Sequence, residues 1–136
     1  HATKKFLNNE VKIDTNQIRM VDGSGLSRYN LTSPDQLTAL LKYVYSNYKY
    51  NAEYMSALPT GGWDGTLSSR MESIENERGV RAKTGTMSGV SCLSGYAFTK
   101  SGEPLVFSLL MNGYIGSSKP YRDLQDRICE ILVNLN

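Results

Sequence analysis

The hydrophobic positions in the first half of the chain repeat with the spacing of helices. The clearest repeat lies in "SPDQLTALLKYVYSNY", where one helical face carries Leu37, Leu40, Leu41, Val44 and Tyr48. Ser33 can cap this helix, Pro34 suits its first position, and Gln36 stands where a capping box needs a glutamine. The sequence therefore predicts an amphipathic helix that begins just after Ser33.

Shorter segments surround this helix. "HATKKFLNN" has apolar residues at helical spacing, and residues 51–58 and "TLSSRMESIENE" predict two further short helices. Residues 17–21 alternate apolar and polar side chains and end at "DGSG", which is typical of an extended segment followed by a turn.

In the second half of the chain the spacing of the hydrophobic positions changes from that of helices to that of strands. Residues 79–83, 89–99 and 104–112 predict strands, with "TKSGE" as a hairpin loop between the last two. The final segment "PYRDLQDRICEILVNLN" predicts a helix whose apolar stripe, expected to cover the sheet, consists of Tyr121, Leu124, Ile128, Ile131, Leu132 and Leu135. We therefore expect an α+β fold in which antiparallel strands pack against helices.

Composition narrows the class of protein. A chain of 136 residues with 40% hydrophobic and 21% charged residues fits one compact domain. A net charge of +2 with no basic run gives no support for nucleic-acid binding, and no apolar stretch is long enough to predict a transmembrane segment. The only histidine is His1, which excludes a histidine-based triad or metal site. No cofactor or metal is expected, and Cys92 and Cys129 leave disulfide pairing open.

The tripeptide Lys83, Thr84, Gly85 is the strongest candidate for chemistry. It lies on the first predicted strand, where an interior glycine often marks a bulge or the close approach of another backbone. A lysine beside a hydroxyl offers a cation and a hydrogen-bond donor to an anionic group. The simplest alternative is a strand end with an exposed lysine, and the tripeptide alone does not decide between the two.

Four stretches in order resemble one family: "DGSGLSRYN", "LPTGGWDGTL", "AKTGTMSGV" and "LSGYAFTKSGEPLVFSLLMNGY". They are similar to the C-terminal part of D-alanyl-D-alanine carboxypeptidase/endopeptidases, the class C low-molecular-mass penicillin-binding proteins. The resemblance implies that residues 1–136 form the C-terminal part of a β-lactamase/DD-peptidase-like transpeptidase domain, incomplete on its N-terminal side.

The resemblance also implies roles for residues 83–86. In this family a serine attacks the carbonyl between two D-alanines of a peptidoglycan stem peptide, and β-lactams are trapped at the same serine. Lys83 is then expected to supply positive potential and a proton-network partner, and the hydroxyls of Thr84 and Thr86 to hold the substrate carboxylate. Gly85 makes room for a substrate backbone lying antiparallel to the strand, and the Thr86 N–H is one donor of the oxyanion hole.

A second group of residues is implied to bind the third residue of the stem peptide. Arg28 pairs with the free carboxylate of diaminopimelate, Leu26 and Met87 flank its aliphatic stem, and Ser88 adds a hydrogen bond. The simplest alternative for Arg28 is a solvated loop residue. The residues at 22–25 are turn formers and are expected to shape the loop without touching substrate.

The chain departs from the family pattern in one respect. The serine-x-x-lysine and serine-x-asparagine motifs are expected upstream of residue 1. "SNYK" at residues 46–49 fits the first motif in letters, but it falls at a helix end and after "DGSGLSR". We therefore expect this polypeptide alone to be inactive, the N-terminal remainder of the enzyme to be its partner, and the enzyme to act outside the cytoplasmic membrane. The alternative is a non-catalytic domain that binds peptidoglycan peptides or serves assembly.

Overall fold

The computed structural model describes residues 2–74 and 79–136. In chain order the elements are α1 (Ala2–Asn9), α2 (Pro34–Ser46), α3 (Asn51–Ala57), β1 (Val80–Met87), β2 (Val90–Phe98), β3 (Pro104–Asn112) and α4 (Lys119–Val133). The strands form one antiparallel three-stranded sheet in the order β1-β2-β3, with α4 packed on one face and α2 on the other. The predicted α+β fold is confirmed.

Helix α2 begins with the predicted capping box. The Gln36 N–H donates to Ser33 Oγ, and the Ser33 N–H donates to Gln36 Oε1 at 2.9 Å. Leu41 and Val44 are buried, whereas Tyr48, predicted on the same face, is 96% exposed. The prediction for Tyr48 is wrong because α2 ends at Ser46, so the helical spacing no longer applies two residues later.

Strand β1 extends beyond its predicted end at residue 83. It pairs with β2 in a register that sets Lys83 opposite Ser94, Gly85 opposite Cys92 and Met87 opposite Val90. Two residues join the strands, and the second, Gly89, has a φ of 70°, a left-handed conformation that glycine adopts without steric cost. Residues 83–86 therefore lie inside a regular strand at the sheet edge.

Helix α4 exists as predicted, but its predicted stripe is only partly covered: Tyr121, Ile128 and Leu132 are half-buried, and Leu132 packs against the core. The buried positions are Gln125, Cys129 and Val133, whereas Leu124, Ile131 and Leu135 of the predicted stripe are 47%, 63% and 45% exposed. The Gln125 side chain donates to Ser91 O at 3.1 Å and accepts from the Arg70 guanidinium at 3.1 Å. Because its polar atoms are satisfied, glutamine can occupy the inward face at little cost.

The predicted helix over "TLSSRMESIENE" is wrong in its described part. Only a 3₁₀ turn, Gly65–Leu67, forms, and residues 68–74 are turns and irregular backbone. The rest of the prediction, residues 75–77, lies outside the described residues. Met71 has a φ of 60°, which interrupts a right-handed helix. Arg70 points inward, where its Nε donates to Asp126 Oδ1 on α4 at 3.0 Å.

The remaining predictions are mostly confirmed. Helices α1 and α3 lie where expected, and the extended segment near residue 19 makes one bridge, between Arg19 and Leu31.

Both cysteines are free: Cys129 packs with Leu93, so Cys92, one residue before Leu93 on β2, points to the opposite face. Among the described residues, no helix has the length and apolar character needed to cross a membrane.

We predict that Arg70→Ala destabilises the fold by about 3 kcal/mol, because it leaves the Asp126 carboxylate without its partner in a mostly buried position. The two side chains are only 10% and 19% exposed. Urea unfolding followed by circular dichroism measures the loss. The matched control is Lys119→Ala, which removes an ion pair to Asp123 whose side chains are 71% and 54% exposed, and it should cost about 0.5 kcal/mol or less. Equal losses of stability in the two variants would contradict the stabilising role of the Arg70–Asp126 pair.

Candidate functional site

The outer edge of β1 is covered along only half of its length. The Ala82 N–H donates to Pro59 O at 3.0 Å, and the Gly61 N–H donates to Val80 O at 2.9 Å. Since outward-facing backbone groups recur every second residue, the next ones belong to Thr84 and Thr86. Within residues 2–74 and 79–136 no backbone group pairs with these two. A short stretch of sheet edge is therefore open for pairing.

Lys83 stands at this open edge. The side chain is exposed, and its Nζ donates to Thr84 O, an outward-facing carbonyl, at 2.7 Å. The lysine is thus neither beneath α4 nor in a core cluster. Thr84 is half-buried and Thr86 is exposed, and by strand alternation their side chains share one face. One ammonium group, two hydroxyls and the Thr86 N–H accordingly lie along the same short stretch of the strand edge.

Gly85 lies in the middle of this group, and the fold does not require a glycine there. A Cβ built at position 85 would meet only Cys92 Cβ, at an ordinary contact distance of 3.6 Å. The contrast is Gly95 on β2, where a Cβ would lie 2.2 Å from Arg81 O and 2.6 Å from Ala82 Cα. Gly95 serves backbone packing, whereas the space at Gly85 is open to something outside the described chain.

A loop of residues 60–67 borders the edge and adds a hydroxyl that sequence reasoning missed. Thr84 Oγ1 donates to Thr66 Oγ1 at 2.9 Å. The loop is fixed by a hydrogen bond from the Thr60 N–H to Asp64 Oδ1 at 2.6 Å and by the fully buried Leu67. Only the tertiary fold brings Thr66 to Thr84, so no local sequence signal marks it.

At the other end of the edge, the loop of residues 22–30 reaches the β1-β2 turn. Arg28 Nη2 donates to Ser88 O at 2.9 Å, so the structure brings these two predicted residues together. Leu26 is 78% exposed, and Met87 is half-buried at the end of β1. The predicted group therefore presents a guanidinium and apolar surface next to the end of the strand.

The shape of this loop comes from its own polar side chains. The Asp22 carboxylate accepts from the Ser24 N–H at 3.0 Å and from the Ser24 hydroxyl at 2.8 Å, which lowers the pKa of Asp22 below its usual value. Asn30 Oδ1 accepts from the Val21 N–H at 2.7 Å, and Asn30 Nδ2 donates to Asp22 O at 3.1 Å. Asn30, which sequence reasoning missed, clamps the two ends of the loop.

The arrangement suits an extended peptide that ends in a carboxylate. Free backbone groups at an edge can pair with an added strand, and hydroxyls with a nearby cation can replace the water around an anion. The guanidinium at the far end can bind a second acidic group in a forked geometry. The chemistry available to the described residues is thus recognition and electrostatic stabilisation.

Comparison with known proteins shows that the chain is similar in sequence to one family over nearly its whole length. A model of the D-Ala-D-Ala carboxypeptidase 3 (S13) family matches residues 1–135. The chain is 43% identical over 109 residues to the D-alanyl-D-alanine carboxypeptidase of Actinomadura sp. (strain R39), covering 76% of this chain and 20% of that protein. It is 31% identical over 137 residues to penicillin-sensitive carboxypeptidase A of Dictyostelium discoideum, covering 96% and 26%. The chain therefore spans about a quarter or less of these relatives.

Solved structures with the same fold include penicillin-binding protein 4 from Haemophilus influenzae, crystallised with a novel β-lactam. Its TM-score is 0.77 at 31% sequence identity, over 87% of this chain and 29% of that one. A predatory peptidoglycan endopeptidase from Bdellovibrio bacteriovorus gives a TM-score of 0.71 at 19% identity, which supports the fold alone.

We predict that two glycine substitutions in the sheet differ strongly in their effect on stability. Gly95→Ala should cost at least about 3 kcal/mol or prevent folding, because the new Cβ meets backbone on β1. Gly85→Ala should leave the stability within about 0.5 kcal/mol, since the methyl group fits and alanine suits a strand better than glycine. Urea unfolding of both variants beside the wild-type chain is the measurement. A large loss for Gly85→Ala would give Gly85 a structural role instead.

Proposed function

The chain belongs to the D-Ala-D-Ala carboxypeptidase 3 (S13) family. From that membership we propose that it is part of a serine-type D-Ala-D-Ala carboxypeptidase/endopeptidase, in which Lys83, Thr84 and Thr86 form the surface that binds the substrate carboxylate, the carboxylate-binding wall. The substrate is a peptidoglycan stem peptide, and residues 1–136 are the C-terminal part of the penicillin-binding domain. The single observation that carries the proposal is the open edge at Thr84 and Thr86, with the Lys83 ammonium group beside it.

In the proposed complex the substrate backbone lies antiparallel to β1 and pairs with the outward groups of Thr84 and Thr86. Its C-terminal carboxylate then lies against the hydroxyls of these residues, and the Lys83 ammonium group lowers the cost of bringing that charge out of water. Gly85 supports this placement because a Cβ there meets little of the chain itself. The space that a side chain would occupy is left for the substrate backbone.

The reaction needs a nucleophile from another part of the enzyme. A serine hydroxyl attacks the carbonyl between the two D-alanines, the C–N bond breaks, and the amine leaves with a proton to form free D-Ala and an acyl-serine. Water then hydrolyses this ester. The Thr86 N–H, which strand alternation directs outward, donates to the oxyanion of each tetrahedral intermediate. β-Lactams acylate the same serine while their carboxylate occupies the same wall.

The N-terminal remainder of the enzyme is the proposed partner, and two surfaces support it. Among the described strands β3 pairs only with β2, yet it is apolar on both faces, since Phe107 packs on the α4 side and Val106 on the α2 side. Such a pattern is typical of an interior strand. The outer stripe of α4 also exposes Leu124 and Ile131. Both surfaces suit coverage by further chain, and an uncovered apolar edge would favour aggregation.

We propose that Arg28 binds the free carboxylate of the third residue of the stem peptide, a diaminopimelate. One of its N–H groups donates to Ser88 O, but a guanidinium has five donors, so others stay available for a substrate carboxylate. Leu26 and Met87 flank the aliphatic stem of a diamino acid, and Ser88 adds a hydrogen bond. Stem peptides lie outside the cytoplasmic membrane, so we place the enzyme in the periplasm or cell envelope.

We predict that Lys83→Ala in the full-length polypeptide lowers the rate of acylation by penicillin at least about 100-fold, because the cation stabilises charge in the transition state. Fluorescent penicillin and gel densitometry measure the rate. Lys100→Ala, an exposed lysine in the β2-β3 hairpin, is the control and should acylate as the wild type does. Near-normal acylation of Lys83→Ala would remove this lysine from the site. A full-length protein that binds muropeptides but is never labelled by fluorescent penicillin would instead indicate the alternative function, a non-catalytic domain that binds peptidoglycan peptides.

We predict that Arg28→Ala weakens turnover of diaminopimelate-containing peptides by about 10-fold or more, in line with the loss of a charged hydrogen-bonded pair. Turnover of a plain diacyl-D-Ala-D-Ala substrate should change much less. Arg19→Ala is the matched control, since Arg19 precedes the same loop and lies over the Tyr29 ring at 5.6 Å. Comparable losses on both substrates would exclude Arg28 from the side-chain subsite.

A further inference from the structure

We propose that Thr66 is a positioning residue for the carboxylate-binding wall: when the substrate carboxylate is bound, the Thr66 hydroxyl donates to Thr84 Oγ1 and thereby orients the Thr84 hydroxyl toward the carboxylate. The observation is the contact between the two hydroxyls, 2.9 Å from Thr84 Oγ1 to Thr66 Oγ1. The inference rests on the proposed function, in which Thr84 binds that carboxylate. It adds a residue from outside β1 to the recognition site.

The hydrogen-bond capacities of the two groups determine the direction of the effect. A hydroxyl has one hydrogen to donate and can accept at two lone pairs, and a carboxylate only accepts. In the free structure the Thr84 hydroxyl donates its one hydrogen to Thr66 Oγ1. When a carboxylate binds, Thr84 must turn this hydrogen toward the anion, and the Thr66 hydroxyl can then donate to the vacated side of Thr84 Oγ1. Two hydroxyls aligned in this way polarise each other, so Thr84 becomes a better donor.

The loop that carries Thr66 is fixed firmly enough for this role. The Gly62 N–H donates to Leu67 O at 3.0 Å, and the Gly61 N–H donates to Val80 O on β1 at 2.9 Å. Leu67, the residue after Thr66, is fully buried, and Arg70 a little further on is bound to α4. The Thr66 backbone is therefore held on both sides, and threonine itself has few side-chain rotamers.

The Thr66 hydroxyl has no evident role in folding. Thr66 is an exposed residue, and its contact with Thr84 is a solvent-accessible bond between two side chains that could each be hydrated instead. The buried anchors of the loop are Leu67 and the Arg70 guanidinium. Removing the hydroxyl should therefore leave the fold unchanged while altering the donor properties of Thr84.

The experiment compares two ligands that differ only at the group Thr84 is proposed to bind. Full-length wild-type enzyme, Thr66→Val and Thr66→Ser are assayed with a diacetyl-L-Lys-D-Ala-D-Ala peptide and with the same peptide as its C-terminal amide. We expect Thr66→Val to lower kcat/KM for the free carboxylate roughly tenfold, the size of one lost hydrogen bond to a charged group, and to change the amide less than about twofold. Thr66→Ser, which retains the hydroxyl, should behave as the wild type does.

A double-mutant cycle tests whether Thr66 acts through Thr84. In a Thr84→Val background, Thr66→Val should cause no further loss on the carboxylate peptide, because the hydroxyl it orients is already gone. Thermal unfolding checks that each variant folds, and Thr66→Ala provides a second hydroxyl-free variant. Equal losses on both ligands, or additive losses in the cycle, would overturn the inference.

The outcomes also separate this inference from the function on which it rests. In one outcome, kcat/KM of the wild-type enzyme is higher for the carboxylate peptide than for the amide, and Thr66→Val leaves this ratio unchanged. Thr66 then has no positioning role, although the proposed function stands. If the wild-type enzyme turns over both peptides equally well, Thr84 does not bind the carboxylate, and both proposals are wrong on this point. Acylation by penicillin with and without Lys83 remains an independent test of the function.

Discussion

Two backbone hydrogen bonds, between residues 59–61 and the start of β1, determine where the sheet edge becomes available. They occupy the Val80 carbonyl and the Ala82 N–H, and within the described residues no further backbone bond follows along this edge. Because the outward groups alternate along a strand, the first residue with neither outward group bonded to another part of the described backbone is Thr84, inside the lysine-threonine-glycine tripeptide. If this pairing extended two residues further, Thr84 would be covered; if it ended earlier, the edge would be longer and less selective.

A buried polar network behind the sheet supports the same region. Arg70, which follows the loop that carries Thr66, donates to Asp126 and to Gln125 of α4. Gln125 in turn donates to Ser91 O, and Ser91 is the residue of β2 opposite Thr86. The chain of contacts thus runs from the loop, through the helix, to the strand position behind the proposed oxyanion donor. A fully bonded network of this kind fixes relative orientation more sharply than apolar packing does.

The sequence predicted the parts of the fold whose causes are local. Ser33, Pro34 and Gln36 specify the start of α2 within four residues, and the strand segments carry their own period. The buried positions of α4 could not be predicted in the same way, since they include Gln125, a polar residue whose burial depends on bonds to residues distant in sequence.

The same division holds for the candidate site. The motif residues Lys83 to Gly85 could be selected from the sequence because of a resemblance, and their roles remain predictions. Thr66 and Asn30 could not be selected, because what distinguishes them is proximity created by folding. The two glycines in question look alike in sequence, and only the positions of neighbouring atoms separate Gly95, which the backbone needs, from Gly85, which it does not.

The open edge is limited at both ends, and its length bears on what can bind. Residues 59–61 block it before Thr84, and the β1-β2 turn, with Arg28 bound to Ser88 O, closes it after Met87. Among the described residues the Ala82 carbonyl and the outward groups of Thr84 and Thr86 remain, so an added strand can pair over a few residues at most. A long strand from another protein would gain little from so short a ladder, whereas a peptide with a terminal carboxylate obtains charge and hydroxyl contacts in addition to the backbone bonds. The geometry therefore suits the proposed ligand, a short acidic peptide end, better than it suits general strand addition.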